Sequence, residues 1–136
     1  MRNIVADTGP LVALFYRRDR NHVRVREFLR DNPCLLVTTW AVATEVWHLL
    51  PRSARLEFMR WVTAGGAAVL EMGSDDGSSM LALLEKYHDR PMDLADASLV
   101  VLADRLGITD ILTIDRADFD VYRLSSNRRF VQVLTN

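Results

Sequence analysis

The chain has 136 residues, of which 49% are hydrophobic and 26% are charged, and its net charge is −1. This length holds one domain with a substantial core and is short for two ordinary domains, so we expect residues 1–136 to form a single domain. The composition is that of a globular protein and excludes an intrinsically disordered chain. The charge lacks the overall basicity with which many proteins hold nucleic acid, but it does not exclude that ligand.

The amino terminus and the cysteine content bear on compartment and metal chemistry. No apolar run reaches membrane-spanning length, and Met1–Asp7 lacks the long apolar segment of a signal peptide. We therefore expect a cytoplasmic protein with no membrane partner. Cys34 is the only cysteine, which excludes an internal disulfide and a site built from several thiolates, and the three scattered histidines argue against zinc.

Hydrophobic periodicity, with glycine and proline as breakers, predicts strands that alternate with helices. In chain order the predicted elements are a strand at Ile4–Ala6, a helix at His22–Arg30, a strand at Cys34–Thr38, helices at Trp40–Leu50 and Ser53–Thr63, a strand at Ala67–Leu70, helices at Asp75–His88 and Asp93–Leu106, and strands at Ile111–Ile114 and Phe130–Leu134. Pro10 suits the first turn of a helix after the first strand. The longest irregular stretch is expected at Asp115–Asn127.

This alternation predicts an α/β fold with a mainly parallel, five-stranded central sheet flanked by helices. In such sheets ligands bind beyond the carboxyl ends of the strands. Asp7 follows the first predicted strand and Asp115 follows the fourth. Both side chains are therefore expected at the ligand-binding edge.

Five acidic residues fall where this fold would bring them together. They are Asp7, Glu45, Asp93, Asp96 and Asp115. Carboxylate oxygens suit hard cations such as Mg²⁺ or Mn²⁺, and converging carboxylates repel one another unless a cation neutralises them. The pattern predicts a metal-binding carboxylate cluster.

Each acid also has a purely structural interpretation. Asp93 could cap a helix whose third residue is Asp96, a position that the helix dipole favours for an acid. Asp115 could be a turn residue. Glu45 is the exception because Ala41–Leu50 is apolar on nearly all sides, so a fully solvated position is hard to find and a buried carboxylate needs a partner. That partner could be a cation shared with the other acids or an arginine such as Arg116.

Four short motifs, in order along essentially the whole chain, resemble those of the PIN-domain ribonucleases. More narrowly, they resemble the VapC-type toxins of bacterial and archaeal toxin–antitoxin pairs. The motifs are Val5-Ala6-Asp7-Thr8-Gly9, Thr44-Glu45-Val46, Met92-Asp93-Leu94-Ala95-Asp96-Ala97 and Leu112-Thr113-Ile114-Asp115-Arg116, with Phe119 close behind. Each motif alone is weak, and the four in sequence are specific.

The resemblance implies a PIN-like fold and an acidic metal and catalytic site formed by Asp7, Glu45, Asp96 and Asp115. Asp7 and Asp96 are then the expected tightest ligands. Further residues have roles that the resemblance leaves open: Asp93 and Asp118 as additional acids, and Thr8 and Thr113 as supporting hydroxyls.

The implied activity is hydrolysis of RNA phosphodiesters by water that Mg²⁺ or Mn²⁺ activates, leaving a 5′-phosphate and a 3′-hydroxyl. RNA rather than DNA is implied by the family, and accessible single-stranded loops are natural targets. Three arginines could contact phosphate, although solvated surface positions would also explain them: Arg116, Arg128 and Arg129.

Other functions compete with this interpretation. A PIN-like module could bind a partner without catalysis, because fold does not imply function. Asp7-Thr8-Gly9 is also the triplet of aspartic proteases, but those enzymes are almost wholly β. A phosphoacceptor receiver domain would place a lysine after a late strand, whereas Lys86 lies in a predicted helix.

The resemblance implies a cognate antitoxin protein and a homodimer as partners. Trp40, Trp47 and Trp61 lie on two successive predicted helices and could line a groove for an apolar antitoxin segment. The competing interpretation puts them in the core, and it is favoured for Trp40 and Trp61. The antitoxin could also place an arginine in the acidic pocket.

Overall fold

The computed structural model describes residues 1–135, in which five strands form one sheet flanked by helices. The strands are β1 (Arg2–Ala6), β2 (Cys34–Thr39), β3 (Ala68–Leu70), β4 (Asp110–Leu112) and β5 (Val131–Gln132). The helices are α1 (Thr8–Phe15), α2 (His22–Asp31), α3 (Trp40–Leu49), α4 (Arg52–Thr63), α5 (Ser74–Lys86), α6 (Leu94–Leu106) and α7 (Arg116–Val121), followed by a short 3₁₀ turn at Ser125–Asn127.

The sheet has the strand order β3-β2-β1-β4-β5, and each neighbouring pair is parallel. The predicted α/β fold with a five-stranded sheet is confirmed. This architecture excludes the aspartic-protease alternative, which needs an almost wholly β chain.

β1 occupies the centre of the sheet, and its apolar run is completely buried. Ile4, Val5 and Ala6 have no solvent exposure, which is typical of a parallel strand covered by helices on both faces. Helix α6 packs against the sheet through an almost continuous buried surface that includes Leu99 and Leu102. The apolar core thereby fixes the edge at which β1 ends.

The strand order reverses beside β1. It moves outward from β1 to β2 and β3, then crosses to the other side of β1 to form β4 and β5. Ala6 of β1 pairs with Leu112 of β4, so the two strands end side by side. Such a switch point opens a crevice at the carboxyl ends of the strands.

Most elements begin or end one or two residues away from their predicted bounds, and the differences that bear on the site lie after Leu106. Residues 115–127 are not an irregular stretch, because α7 and the 3₁₀ turn lie within them. Helix α7 has only six residues, which is too few to show helical periodicity. Its Phe119 is nevertheless completely buried, and so is Tyr122 directly after the helix. The last two strands pair over fewer residues than predicted, with β4 ending at Leu112.

No helix in residues 1–135 combines the length and the apolar character needed to cross a membrane.

Candidate metal centre at the switch point

Asp7 directly follows β1 and lies at the switch point. Its side chain is buried, and Thr113 donates a hydrogen bond to its Oδ2 atom at 2.8 Å. Its backbone N–H donates to the Leu112 carbonyl at 2.9 Å, which continues the pairing of β1 with β4. Burial raises the pKa of Asp7 to about 6, and the charges of Asp115 and Glu45 add to this while the Thr113 hydrogen bond opposes it.

Asp115 is held to the same threonine. Its backbone N–H donates to the Thr113 hydroxyl oxygen at 2.9 Å, so this fully buried hydroxyl joins the chain after β1 to the chain after β4. Burial raises the pKa of Asp115, and a hydrogen bond and charge repulsion from Asp118 raise it further. Thr113 thus contacts both acids, and its role in supporting a metal site stays a prediction.

Asp93 and Asp96 form a capping box at the start of α6. The Asp96 N–H donates to Asp93 Oδ1 at 2.8 Å, and the Asp93 N–H donates to Asp96 Oδ2 at 3.4 Å. The pKa of Asp96 is nevertheless raised to about 8, first by burial and then by the charges of Asp7, Asp93 and Asp115. Asp96 therefore has two roles, since it takes part in the cap of α6 and its carboxyl also lies near the other acids.

Glu45 approaches the cluster from α3. It is half-buried, and burial raises its pKa while the Thr8 hydroxyl lowers it and Asp93 raises it again. Within residues 1–135 no arginine pairs with it. Arg116, the rival partner, instead donates to the Leu134 carbonyl at 3.3 Å.

Thr8 contributes a buried hydroxyl that lacks a hydrogen-bond partner among residues 1–135. It lies close enough to Glu45 to lower the pKa of that carboxyl without making a hydrogen bond of good geometry. A buried polar group with no partner costs free energy, about 1–3 kcal/mol. A ligand beside Glu45 that forms a hydrogen bond with the Thr8 hydroxyl would remove this cost.

The acids converge without forming a finished metal site. No three Asp, Glu, His or Cys side chains in the described part of the chain lie close enough together to hold a metal ion as they stand. Burial raises the pKa values of Asp7 and Asp96, and the neighbouring carboxylates raise them further, so bringing these groups closer while ionised costs free energy. A bound cation would have to draw these oxygens together.

Asp118 differs from the other acids because its charge is neutralised by an arginine. Arg90 Nη2 lies 2.9 Å from Asp118 Oδ1, and this ion pair is largely shielded, with Asp118 only 14% exposed. Sequence reasoning missed Arg90, which lies in the turn between α5 and α6 where no periodicity marks it.

Tyr122 is a second residue that the sequence did not single out. Its ring is fully buried between Tyr87 and Phe119, each with its ring centroid 5.1 Å away. Its hydroxyl has no hydrogen-bond partner within residues 1–135. Burial raises the pKa of Tyr122, and so do the nearby charges of Asp96, Asp118 and Asp115. The one sequence signal for Tyr122 is that it is an aromatic residue three positions after Phe119.

Two of the three arginines predicted to contact phosphate, Arg116 and Arg128, bind other groups of the protein. Arg128 donates to the Ser125 carbonyl at 3.3 Å and lies 3.8 Å from Asp104. Arg129 is exposed, and its backbone forms an isolated bridge with Arg123. A phosphate-binding role for Arg116, Arg128 and Arg129 stays a prediction.

The three tryptophans divide between surface and core. Trp40 begins α3 and is 48% exposed, so the prediction that it is a core residue is wrong; residue 40 is the first turn of a helix whose buried face is carried by Val42, Ala43 and Val46. Trp61 packs on Phe15 with ring centroids 5.1 Å apart, as a core residue would.

A groove of about 590 Å³ runs beside the acidic cluster. Exposed apolar side chains of Trp40, Leu49 and Leu94 line it, together with the acids Glu45 and Asp93. Trp47 is half-buried, and the Arg55 guanidinium lies 5.6 Å from the centre of its ring. The groove joins an apolar surface to the acids of the switch point.

The raised pKa of Asp7 predicts that this residue lowers the stability of the metal-free protein at neutral pH. A carboxyl whose pKa is near 4 in the unfolded chain and about 6 in the folded chain favours folding below pH 4, and this contribution is lost as the pH rises through 6. We expect Asp7→Asn to raise the free energy of unfolding by about 1–3 kcal/mol at pH 7.5 and by much less at pH 4.5.

Urea unfolding in EDTA at both pH values measures this difference. Asp75→Asn is the matched control, because Asp75 is exposed at the start of α5 and should change stability little at either pH. An Asp7→Asn protein that is no more stable than the parent at pH 7.5 would contradict the electrostatic explanation.

Comparison with known proteins agrees with this architecture. The family model described as PIN domain matches residues 4–124. Ribonuclease VapC26 of Mycobacterium tuberculosis (strain ATCC 25618 / H37Rv) is 29% identical over 134 residues, covering 96% of this chain and 99% of that protein.

Two solved structures share the fold. The crystal structure of Mycobacterium tuberculosis VapC20, a sarcin–ricin loop cleaving toxin, matches with a TM-score of 0.77 at 20% identity, over 83% of this chain and 90% of that one. A chain of a toxin–antitoxin complex from Klebsiella pneumoniae matches with a TM-score of 0.64 at 18% identity, over 87% and 91%. With a PIN-domain match over most of its length and the PIN-like sheet of these structures, the chain belongs to the PIN domain family.

Proposed function

We propose that this protein is a divalent-metal-dependent endoribonuclease and the toxin of a toxin–antitoxin pair. The observation that carries the proposal is the arrangement of acids at the switch point, where the Thr113 hydroxyl contacts Asp7 and Asp115, the capping box holds Asp96, and Glu45 approaches from α3. The similarity to proteins named as a ribonuclease and as toxins supports the same conclusion.

The donor set fits Mg²⁺ or Mn²⁺. Its atoms are carboxylate and hydroxyl oxygens, which hard divalent cations prefer. Asp7 and Asp96 are the most buried acids of the set and would be the principal ligands, with Glu45 from α3 and Asp115 from the segment between β4 and α7 completing the site. The unpartnered Thr8 hydroxyl lies near Glu45 and would accept a hydrogen bond from a water bound to the cation.

When bound, a divalent cation activates water and stabilises the charge that develops on a phosphodiester. The protein's own residues fix the geometry around it. Thr113 holds Asp7 and the backbone of Asp115 in one place, and the capping box holds Asp96 at the start of α6. Asp115 and Glu45 are less buried than Asp7 and Asp96, and a carboxylate of this pair would serve as the proton acceptor for the attacking water.

RNA is the proposed substrate, with a 5′-phosphate and a 3′-hydroxyl as the products of attack by water. Single-stranded RNA suits the site because its backbone can reach a crevice at the edge of a sheet. A PIN-like module that binds without cleavage is the alternative outcome of the experiment below.

The cognate antitoxin is proposed to occupy the groove beside the cluster. Exposed Trp40, Leu49 and Leu94 offer an apolar surface of the kind that receives an apolar helix or strand of a partner. Glu45 and Asp93, which also line the groove, would attract a basic side chain from the same partner. A homodimer of the toxin is also expected within such a complex.

Substitution of the central acids tests catalysis. We expect expression of the parent chain to arrest growth of a bacterial host and to produce new, discrete RNA 5′ ends, and we expect Asp7→Asn or Asp96→Asn to abolish both. Removing a ligand from a metal-dependent nuclease should lower the cleavage rate at least about 100-fold, since the cation supplies several kcal/mol of transition-state stabilisation. Sequencing of 5′ ends in total RNA provides the measurement.

Asp75→Asn is the control for the charge change and should behave as the parent. Purified parent protein should lose cleavage of the mapped RNA in EDTA and regain it with Mn²⁺. Arrest that survives both substitutions would refute the metal-site assignment, and a folded parent that binds Mn²⁺ but cleaves no RNA would indicate the non-catalytic module.

Trp40→Ala tests the antitoxin groove. A half-exposed tryptophan at the centre of an interface typically contributes 2 kcal/mol or more, so we expect the substitution to weaken antitoxin binding by about 30-fold while RNA cleavage remains. Titration of cleavage with purified antitoxin gives the measurement. Leu81→Ala, which truncates an exposed leucine of α5, is the control, and equal inhibition of the Trp40→Ala protein and the parent would exclude this groove.

A further inference from the structure

The carboxyl groups at the edge of the sheet would repel the phosphates of an RNA substrate, and a metal ion would offset only part of this repulsion. Six carboxyl groups gather there, whereas RNA approaches with a negative charge on every phosphate. They are Asp7, Glu45, Asp93, Asp96, Asp115 and Asp118. A phosphodiester next to this edge therefore needs a protein cation as well.

Arg90 is the cation placed there. Among the five ion pairs of residues 1–135, the Arg90–Asp118 pair is the one that includes an acid of this edge. The charge of Arg90 also acts on the metal-site side, since it lowers the pKa of Asp115. Its guanidinium thus lies within electrostatic reach of the proposed ligands.

The guanidinium retains hydrogen-bonding capacity. An arginine has five N–H donors in a fixed fork, and within residues 1–135 its side chain makes one hydrogen bond, from Nη2 to Asp118 at 2.9 Å. The Nε–H is buried and has no acceptor in the described residues, while the side chain as a whole is 31% exposed. The Tyr122 hydroxyl, also near Asp118, is likewise a buried donor without an acceptor.

The surrounding contacts hold Arg90 in place. Its backbone N–H donates to the Tyr87 carbonyl at 2.9 Å, and the Tyr87 ring packs edge-on against Tyr122. Asp118 belongs to α7, which begins directly after Asp115. A fixed guanidinium with spare donors loses little conformational entropy when it binds a phosphate oxygen.

We propose that Arg90, held by Asp118, binds a backbone phosphate of the RNA substrate beside the metal site, and that Asp118 positions this arginine and is not a metal ligand. The proposal rests on the proposed ribonuclease function. It replaces the surface arginines 116, 128 and 129 as the phosphate contact at the site. Arginine suits this role because its planar fork matches phosphate oxygens.

The test separates RNA binding from metal binding and from the structural role of the ion pair. The RNA probe is a fluorescein-labelled twelve-nucleotide oligouridylate, titrated by fluorescence anisotropy in Ca²⁺ at several salt concentrations, with its integrity checked on a gel. Mn²⁺ binding is measured by calorimetry on the same preparations. The proteins are the full-length parent, Arg90→Ala, the double variant Arg90→Ala/Asp118→Ala, and Arg105→Ala as control, which removes an arginine paired with Asp76 on another part of the surface.

We expect Arg90→Ala to weaken RNA binding about tenfold and to reduce the slope of log affinity against log salt by about 0.7, the value for one phosphate contact on a single strand. Mn²⁺ affinity should not fall. The double variant, which leaves no unpaired buried carboxylate, should fold as the parent does and bind RNA as weakly as Arg90→Ala. Arg105→Ala should bind as the parent does.

Recovery of parental RNA binding in the double variant would overturn the proposal, because Arg90 would then serve only to neutralise Asp118. Parental RNA binding by Arg90→Ala, or a loss of Mn²⁺ affinity in the double variant, would also overturn it. A parent that binds Mn²⁺ but not the RNA refutes the role of Arg90, whereas a parent that binds neither refutes the ribonuclease function itself.

Discussion

The buried hydroxyl of Thr113 is the contact on which the geometry of the acidic edge depends. It donates to Asp7 and accepts from the backbone of Asp115, so one side chain joins the ends of the two strands that flank the switch point. Because β1 and β4 are neighbours only through the crossover of the chain, two acids 108 positions apart in sequence become adjacent. Helix α6 then brings its capped first turn, with Asp96, to the same place.

This arrangement opposes stability in the metal-free protein. Burial and mutual repulsion raise the pKa of Asp7 and Asp96 to about 6 and about 8, so at neutral pH their ionisation works against folding. Sites that must act on a ligand commonly retain such strain, and a cation that binds only the folded state would reverse the effect. Asp118 differs from these acids because Arg90 already compensates its charge.

Much of this edge follows from sequence because its residues lie at ends of regular elements. The position of Asp7 after an apolar run, and of Asp93 and Asp96 at a helix start, follows from strand and helix signals that act over a few residues. The parallel sheet then converts these separate positions into one edge. The sequence pattern predicted a cluster of five acids, the family resemblance selected Asp7, Glu45, Asp96 and Asp115 from it as the ligands, and that set stays a prediction as regards metal binding.

The remaining features arise from contacts between distant elements. The Arg90–Asp118 ion pair joins residues 28 positions apart, and neither lies in a periodic pattern that marks the other. Helix α7 is too short to show a helical repeat, although Phe119 is completely buried. The exposure of Trp40 was likewise hidden, because a large aromatic residue in an apolar helix resembles a core residue until the neighbouring elements are known.

Calorimetric titration of the purified protein with Mn²⁺ tests the central claim most directly, since it requires neither the RNA target nor the antitoxin. If the switch-point acids form a cation site, the parent should bind Mn²⁺ at pH 8 with release of protons from Asp96, whose pKa is about 8, and more weakly at pH 5.5, where Asp7, with a pKa of about 6, must lose its proton as well. Asp96→Asn should weaken binding at pH 8 by at least about tenfold. Absence of binding at pH 8, or binding that neither Asp7→Asn nor Asp96→Asn weakens, would contradict the account.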